Sequence, residues 1–283
     1  MKAIGLHTRH VEIDPDACRT LRAAGFDDVV EGDARDLSSW LPSDPVVFLH
    51  ASPPCPKWSR ANRRSERIAV AQDLWPDTLK AIQWLQPVIV TVENVKDSPA
   101  HHWCEDLRRE GYFVDAWLLN AMDYGAPQTR RRWIIVASRV RMPRRPAATH
   151  GPPGSGLRNY RTLREILEPV GSRVTYPVGT GRAGSEPERL DRPCPTIVTA
   201  EVKGTRATEG SGWSFHGGPD RLADALYLAL GWRRASIREC MRAQTFPEDW
   251  PFQGTTDAVY RQIGNAVPVV LAKAMLECAI DTL

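Results

Sequence analysis

Lysine is scarce in this chain, confined to Lys2, Lys57, Lys80, Lys96, Lys203 and Lys273 among 283 residues that carry 37 basic side chains. The cysteines Cys18, Cys55, Cys104, Cys194, Cys240 and Cys278 are scattered, with no Cys-x-x-Cys pair and no clustered histidine. That spacing signals neither a zinc site nor a disulfide framework. No apolar run approaches the roughly 18 residues of a membrane span. Residues 1–10 lack an apolar stretch followed by a small-residue cleavage site, so cytoplasmic residence is the expectation. A large charge imbalance is missing too. With a formal net charge of +3, any anion-binding surface has to be read from local clusters, not from the total.

What the sequence does have is arginine, whose planar fork suits phosphate and base contacts. A coding sequence rich in G and C explains the arginine, alanine and proline totals equally well. With 42% hydrophobic and 25% charged residues, the chain reads as a globule with a substantial core, built as two lobes of unequal size.

Short β-branched and aromatic runs alternate with amphipathic stretches in the first half, the pattern of an α/β fold with a parallel sheet and covering helices. Strands are expected to end at Val30, over residues 45–49 and over 88–92, with a helix over 74–86 between the last two. Residues 113–119 and 133–137 read as a hairpin that closes a sheet edge. On this reading Glu12, Asp33, Cys55 and Glu93 each fall just beyond the carboxyl end of a strand, the edge where open α/β sheets bind ligands. Proline and glycine become frequent after Arg139. The expected division is 1–168 as the main domain, 169–231 as a small lobe, and 232–283 returning to pack on the sheet.

Cys55 lies in Pro53-Pro54-Cys55-Pro56, where prolines fix φ on both sides and leave little entropy to lose. Such a turn suits a nucleophile, and it equally suits a rigid corner with a small filler. Glu93, at the end of the next expected strand, would bring a carboxyl to the same crevice. In Gln128-Thr129-Arg130-Arg131-Arg132, alternation points Arg130 and Arg132 to one side.

The segments ASPPCPKWS (51–59), VENV (92–95), QTRRRWIIVASR (128–139), RECMRAQTFPEDW (238–250) and YRQIGNAVP (260–268) resemble, in order, motifs four, six, eight, nine and ten of the DNA cytosine carbon-5 methyltransferases. The resemblance implies a Rossmann-like S-adenosylmethionine-dependent methyltransferase sheet with a small target-recognition lobe, acting on double-stranded DNA. It implies that Cys55 adds to carbon 6 of a flipped cytosine, that Glu93 acts as the acid at ring nitrogen 3, and that Arg132, backed by Arg130, stabilises the base electrostatically. Ser59, Asn94 and Gln128 are implied substrate contacts, and Ser59, Arg60, Asn62, Arg63 and Arg64 form a polar loop able to close over the base. For S-adenosylmethionine, the resemblance implies Glu12 at the ribose hydroxyls with Ile13 beside it, Asp33 at the adenine amino group, Pro53 nearby, and Asn265 and Val267 at the methionine end.

Members of that family begin with a strand and a glycine-rich turn, broadly Phe-x-Gly-x-Gly, and residues 1–6 resemble instead the middle of the helix that follows it. Without that strand two neighbours would lose ladder partners at roughly 1 to 3 kcal/mol per exposed group. The expectation is therefore an internal start at Met1 with natural sequence upstream; the rival is a remnant with impaired cofactor binding. In the lobe, Arg182, Arg189, Arg192, Lys203 and Arg206 are candidate phosphate or base contacts. A monomer, with a cognate restriction endonuclease as partner, completes the expectation. Two alternatives stand beside it: an RNA cytosine methyltransferase of the same architecture, and a non-catalytic DNA-binding remnant.

Overall fold

The computed structural model describes residues 7–54, 73–166, 192–194, 196–199, 214–215 and 236–283. Two sheets carry the first half. Strands β1 (Arg9–Glu12) and β2 (Asp28–Glu31) pair in parallel, Glu12 opposite Glu31. Strands β3 (Phe48–Ala51), β4 (Ile89–Val95), β5 (Phe113–Asn120) and β6 (Arg131–Ser138) form a sheet in the order β3-β4-β6-β5, with β3 parallel to β4 and β6 antiparallel to both neighbours. No ladder joins β1 to β3 among the described residues.

Local chemistry sets the helices. Asp14 caps α1 (Pro15–Ala23) by accepting from the Asp16 N–H, and Pro15 opens it, where a missing N–H costs nothing. Helix α2 (Trp75–Leu85) ends at Gln86 in the left-handed region, φ 46°. Helix α3 is Ala100–Arg109. The Ser236–Glu239 capping box starts α4 (Ile237–Ala243), and Thr255 caps α5 (Thr256–Asn265). Pro268 then breaks the chain before α6 (Val269–Ile280). The largely apolar stretch Thr256–Ile280 is thus two helices separated by that break, each with a buried face.

Strand β4 is the pivot. Its alternation sends Val90 and Val92 to a core with Trp75, Ile82, Trp103, Leu107 and Ile135 beneath α2 and α3. Ile89 goes to the opposite core, with Ile134, Val136, Leu271 and Met275 beneath α6. A third cluster joins Leu163, Ile166, Cys194 and Ile197 to Cys240, Met241, Val259 and Ile263 of α4 and α5. Here Leu163 N–H donates to Arg192 O at 2.7 Å, so the residues flanking 167–191 are stitched to each other.

Two expectations need correction. Strand β4 does not stop at residue 92: it pairs with β6 through Asn94–Trp133 and Val95–Arg132, so Glu93 and Asn94 sit inside a ladder. Glu12 is likewise the last residue of β1. The isolated sequence hides this because the charged Glu93 reads as a strand end until β6 supplies the missing partner. Strand β3 begins at Phe48, not at residue 45, since Pro45 has no N–H to give a ladder. The expected 169–231 lobe, with Arg182, Arg189, Lys203 and Arg206, lies almost wholly outside the described residues.

Candidate functional site

Glu93 and Arg132 meet on one face of the sheet. Glu93 is paired with Ile134, two residues from Arg132, so the two side chains are diagonal neighbours pointing the same way. Arg132 Nε lies 3.0 Å from Glu93 Oε1, the side chains 12% and 8% exposed. The contact is a close ion pair without a directed hydrogen bond, and Oε1 is buried with no hydrogen-bond partner. A buried acceptor left unfilled is the kind of atom an incoming donor can use.

Asn94, 4% exposed, points to the other face of β4 and ties that strand to the chain entering the proline-bounded turn. Its Nδ2 donates to Pro53 O at 3.0 Å, while its Oδ1 accepts from the Val95 N–H at 2.9 Å. The carbonyl of Pro53, two residues before Cys55, is thereby fixed to the strand carrying Glu93. Cys55, Ser59 and the loop residues Arg60, Asn62, Arg63 and Arg64 lie outside the described residues. We expect Asn94→Leu to fold and to bind cofactor normally but to lose about ten- to a hundredfold in turnover, because misplacing a reacting group by about 1 Å costs that order. Steady-state kinetics with cofactor titration checks it, and an unchanged kcat would remove the tie from consideration.

Gln128 and Arg130 are placed differently from Arg132. Gln128 is fully buried; its Nε2 donates to Ala243 O and Gln244 Oε1, and its Oε1 accepts from the Ile197 N–H. Arg130, 2% exposed, donates from Nη1 to Ile197 O at 2.8 Å and from Nη2 to Gly264 O at 2.9 Å. Burial, and then the neighbouring Arg132 charge, push its pKa well below the usual arginine value against the pull of Glu93. Both side chains therefore hold Ile197, and between them the ends of α4 and α5, to the start of β6 from beneath the site.

Gln244, which sequence reasoning quoted inside a motif without giving it a role, completes this network by donating to Ile263 O at 2.6 Å and Ala266 O at 3.2 Å. Only its burial among carbonyls discloses the role; a lone glutamine after an apolar helix carries no such signal. Gln244→Leu is expected to strand these acceptors, at about 1 to 3 kcal/mol for each buried group left unpaired. Calorimetric unfolding should show a Tm lowered by several degrees, and an unchanged Tm would contradict the network's weight.

Of the expected cofactor residues, Glu12, Ile13 and Asp33 lie at or just past the carboxyl ends of β1 and β2. Glu12 Oε1 accepts from the Asp14 N–H at 2.8 Å. Ile13 is 65% exposed, an apolar side chain held open beside a carboxylate. Asp33 is bound by Arg35, whose backbone N–H and Nε reach Oδ1 at 2.9 Å; the side-chain bond and then the backbone bond hold its pKa down to about 2. Asn265 is exposed at the end of α5, and Val267 packs partly against the α6 core. This donor set fits a nucleoside: a carboxylate for vicinal hydroxyls, an apolar face for a flat ring, and a second carboxylate for an amino group.

The sequence model of the C-5 cytosine-specific DNA methylases matches residues 2–178 and 194–280. The chain is 28% identical to the type II methyltransferase M.NgoMIV of Neisseria gonorrhoeae, over 95% of this chain and 88% of that protein. It is 33% identical to M.BsuRI of Bacillus subtilis over 78% of this chain, a match that spans 56% of that longer protein. Its fold superposes on the Dnmt2 methyltransferase of S. pombe with a TM-score of 0.67 at 18% identity, covering 96% of this chain and 90% of the other. That likeness establishes a common architecture.

Proposed function

The chain belongs to the C-5 cytosine-specific DNA methylases, enzymes that use S-adenosylmethionine on cytosine in DNA, and on that premise we propose that it works through a covalent Cys55 adduct on a flipped base. Carbon 5 of cytosine is a poor nucleophile. A thiolate of Cys55 bonding to carbon 6 shifts ring electron density toward carbon 5 and toward ring nitrogen 3. Glu93 supplies a proton or hydrogen bond at that nitrogen, and Arg132, 3.0 Å from it, holds the carboxyl and offers its remaining N–H groups to the base carbonyl. Bound S-adenosylmethionine supplies an electrophilic methyl group, with Glu12, Ile13, Asp33, Pro53, Asn265 and Val267 as its holding residues. Asn94 fixes the turn before Cys55, while Gln128 and Arg130 hold the platform beneath Arg132.

The observation that carries this reading is the buried Glu93–Arg132 pair tied through Asn94 to the carbonyl of Pro53. Extruding the nucleotide costs on the order of a few kcal/mol, and Ser59 and its polar neighbours are the contacts assigned to offset it. The names of the similar type II methyltransferases support a cognate restriction endonuclease as partner, a monomer in the cytoplasm being the simplest form. Transfer of a labelled methyl group to duplex DNA and, in parallel, to transfer RNA tests the substrate. Label is expected in 5-methylcytosine of the duplex; label on the RNA alone would overturn the reading.

A further inference from the structure

Sheet β1–β2, which carries Glu12, shares no ladder with the sheet that carries Glu93 among the described residues. Something else must set the distance between the two. Helix α5 is bonded to segments that adjoin each of them. Toward the first, Arg261 donates to Asp14 Oδ2 from Nη2 at 2.8 Å and from Nε at 3.2 Å. Its neighbour Gln262 accepts from Thr20 Oγ1 of α1 at 2.7 Å and donates to Gln253 O, whose own N–H returns to Thr20 Oγ1. Toward the second sheet, the far end of α5 is held by Arg130 at Gly264 O and by Gln244 at Ile263 O.

We infer that Arg261 is a positioning residue for the cofactor ribose, acting through Asp14 on Glu12. The path is short: Arg261 holds the Asp14 carboxylate, and the backbone N–H of the same Asp14 holds Glu12 Oε1 at 2.8 Å. Asp14 also caps α1 through its other oxygen, so its side chain is locked from both directions. Burial raises the Asp14 pKa, but the bonds from Arg261 and the Asp16 N–H outweigh it and leave it below the usual value. A depressed carboxyl pKa means that the tie is complete above the ordinary value near 3.8 and is lost only as pH falls through the lower folded value. It is therefore intact across any neutral assay.

The inference rests on Glu12 holding the ribose, and the test separates the two. S-adenosylmethionine affinity is measured by titration calorimetry on the full chain for the wild type, Glu12→Gln, Arg261→Met, Arg261→Lys, Asp14→Asn and the Arg261→Met/Asp14→Asn double variant. Asn keeps the helix cap but loses the ion pair, so Asp14→Asn guards against a simple folding defect. We expect Arg261→Met and Asp14→Asn each to weaken binding about three- to tenfold, the double variant to be no weaker than either alone, and Arg261→Lys to recover part of the loss. In turnover, KM for the cofactor should rise while KM for DNA stays constant. If Glu12→Gln binds cofactor normally, the ribose reading falls. If Glu12→Gln is weakened but Arg261→Met is not, or if the Arg261→Met and Asp14→Asn losses multiply, the positioning role falls.

Discussion

Cys55→Ala should bind duplex DNA and S-adenosylmethionine yet transfer methyl groups about 10⁴-fold more slowly or worse, the scale seen when a covalent nucleophile is removed. Alanine leaves the three flanking prolines and the Asn94–Pro53 tie in place, so the loss would report chemistry and not a collapsed turn. DNA carrying 5-fluorocytosine makes the measurement direct. Methylation of a normal cytosine ends when the carbon 5 proton leaves and the thiolate is expelled; fluorine cannot depart as a cation, so the adduct persists. Wild-type protein incubated with that DNA and cofactor should migrate as a denaturation-resistant conjugate, and Cys55→Ala should not. Equal cross-linking by both proteins would end the assignment.

Glu93→Gln is the second large effect. Glutamine retains the shape and a hydrogen-bond donor but cannot deliver a proton, so kcat should fall by about 10² to 10⁴. Cofactor affinity should change by less than about twofold, because the residues proposed to hold the cofactor lie around the ends of β1, β2 and α5 and at Pro53, whose tie to Asn94 the substitution leaves intact. The substitution also leaves the nearly buried Arg132 guanidinium without its carboxylate partner, so a modest fall in Tm is expected with it. Single-turnover rates at saturating DNA and cofactor decide the matter: a variant keeping a tenth or more of wild-type chemistry would remove Glu93 as the acid.

Much of the frame could be read directly. The β5–β6 hairpin, the helix before β4 and the adjacency of β3 and β4 all follow from short β-branched and aromatic runs, helical spacing and turn residues. A strand read from apolar residues stops short of Glu93 for a physical reason: a carboxylate inside a ladder violates the pattern that reveals strands, and the antiparallel partner β6 with Arg132 makes it tolerable. Gln128 and Arg130 looked like companions of Arg132, since β alternation fixes direction but not depth. Their burial comes from Ile197, Ala243 and Gly264, contacts across more than sixty residues that no local pattern encodes. Arg261 was invisible for the same reason: its partner Asp14 is at the other end of the chain.

The bond from Leu163 N–H to Arg192 O brings two points far apart in sequence to one spot. Closing a longer loop on fixed feet costs only about 0.6 kcal/mol for each doubling of its length. A change in the number of residues between those two points therefore carries little chain-closure cost for the platform beneath Glu93 and Arg132.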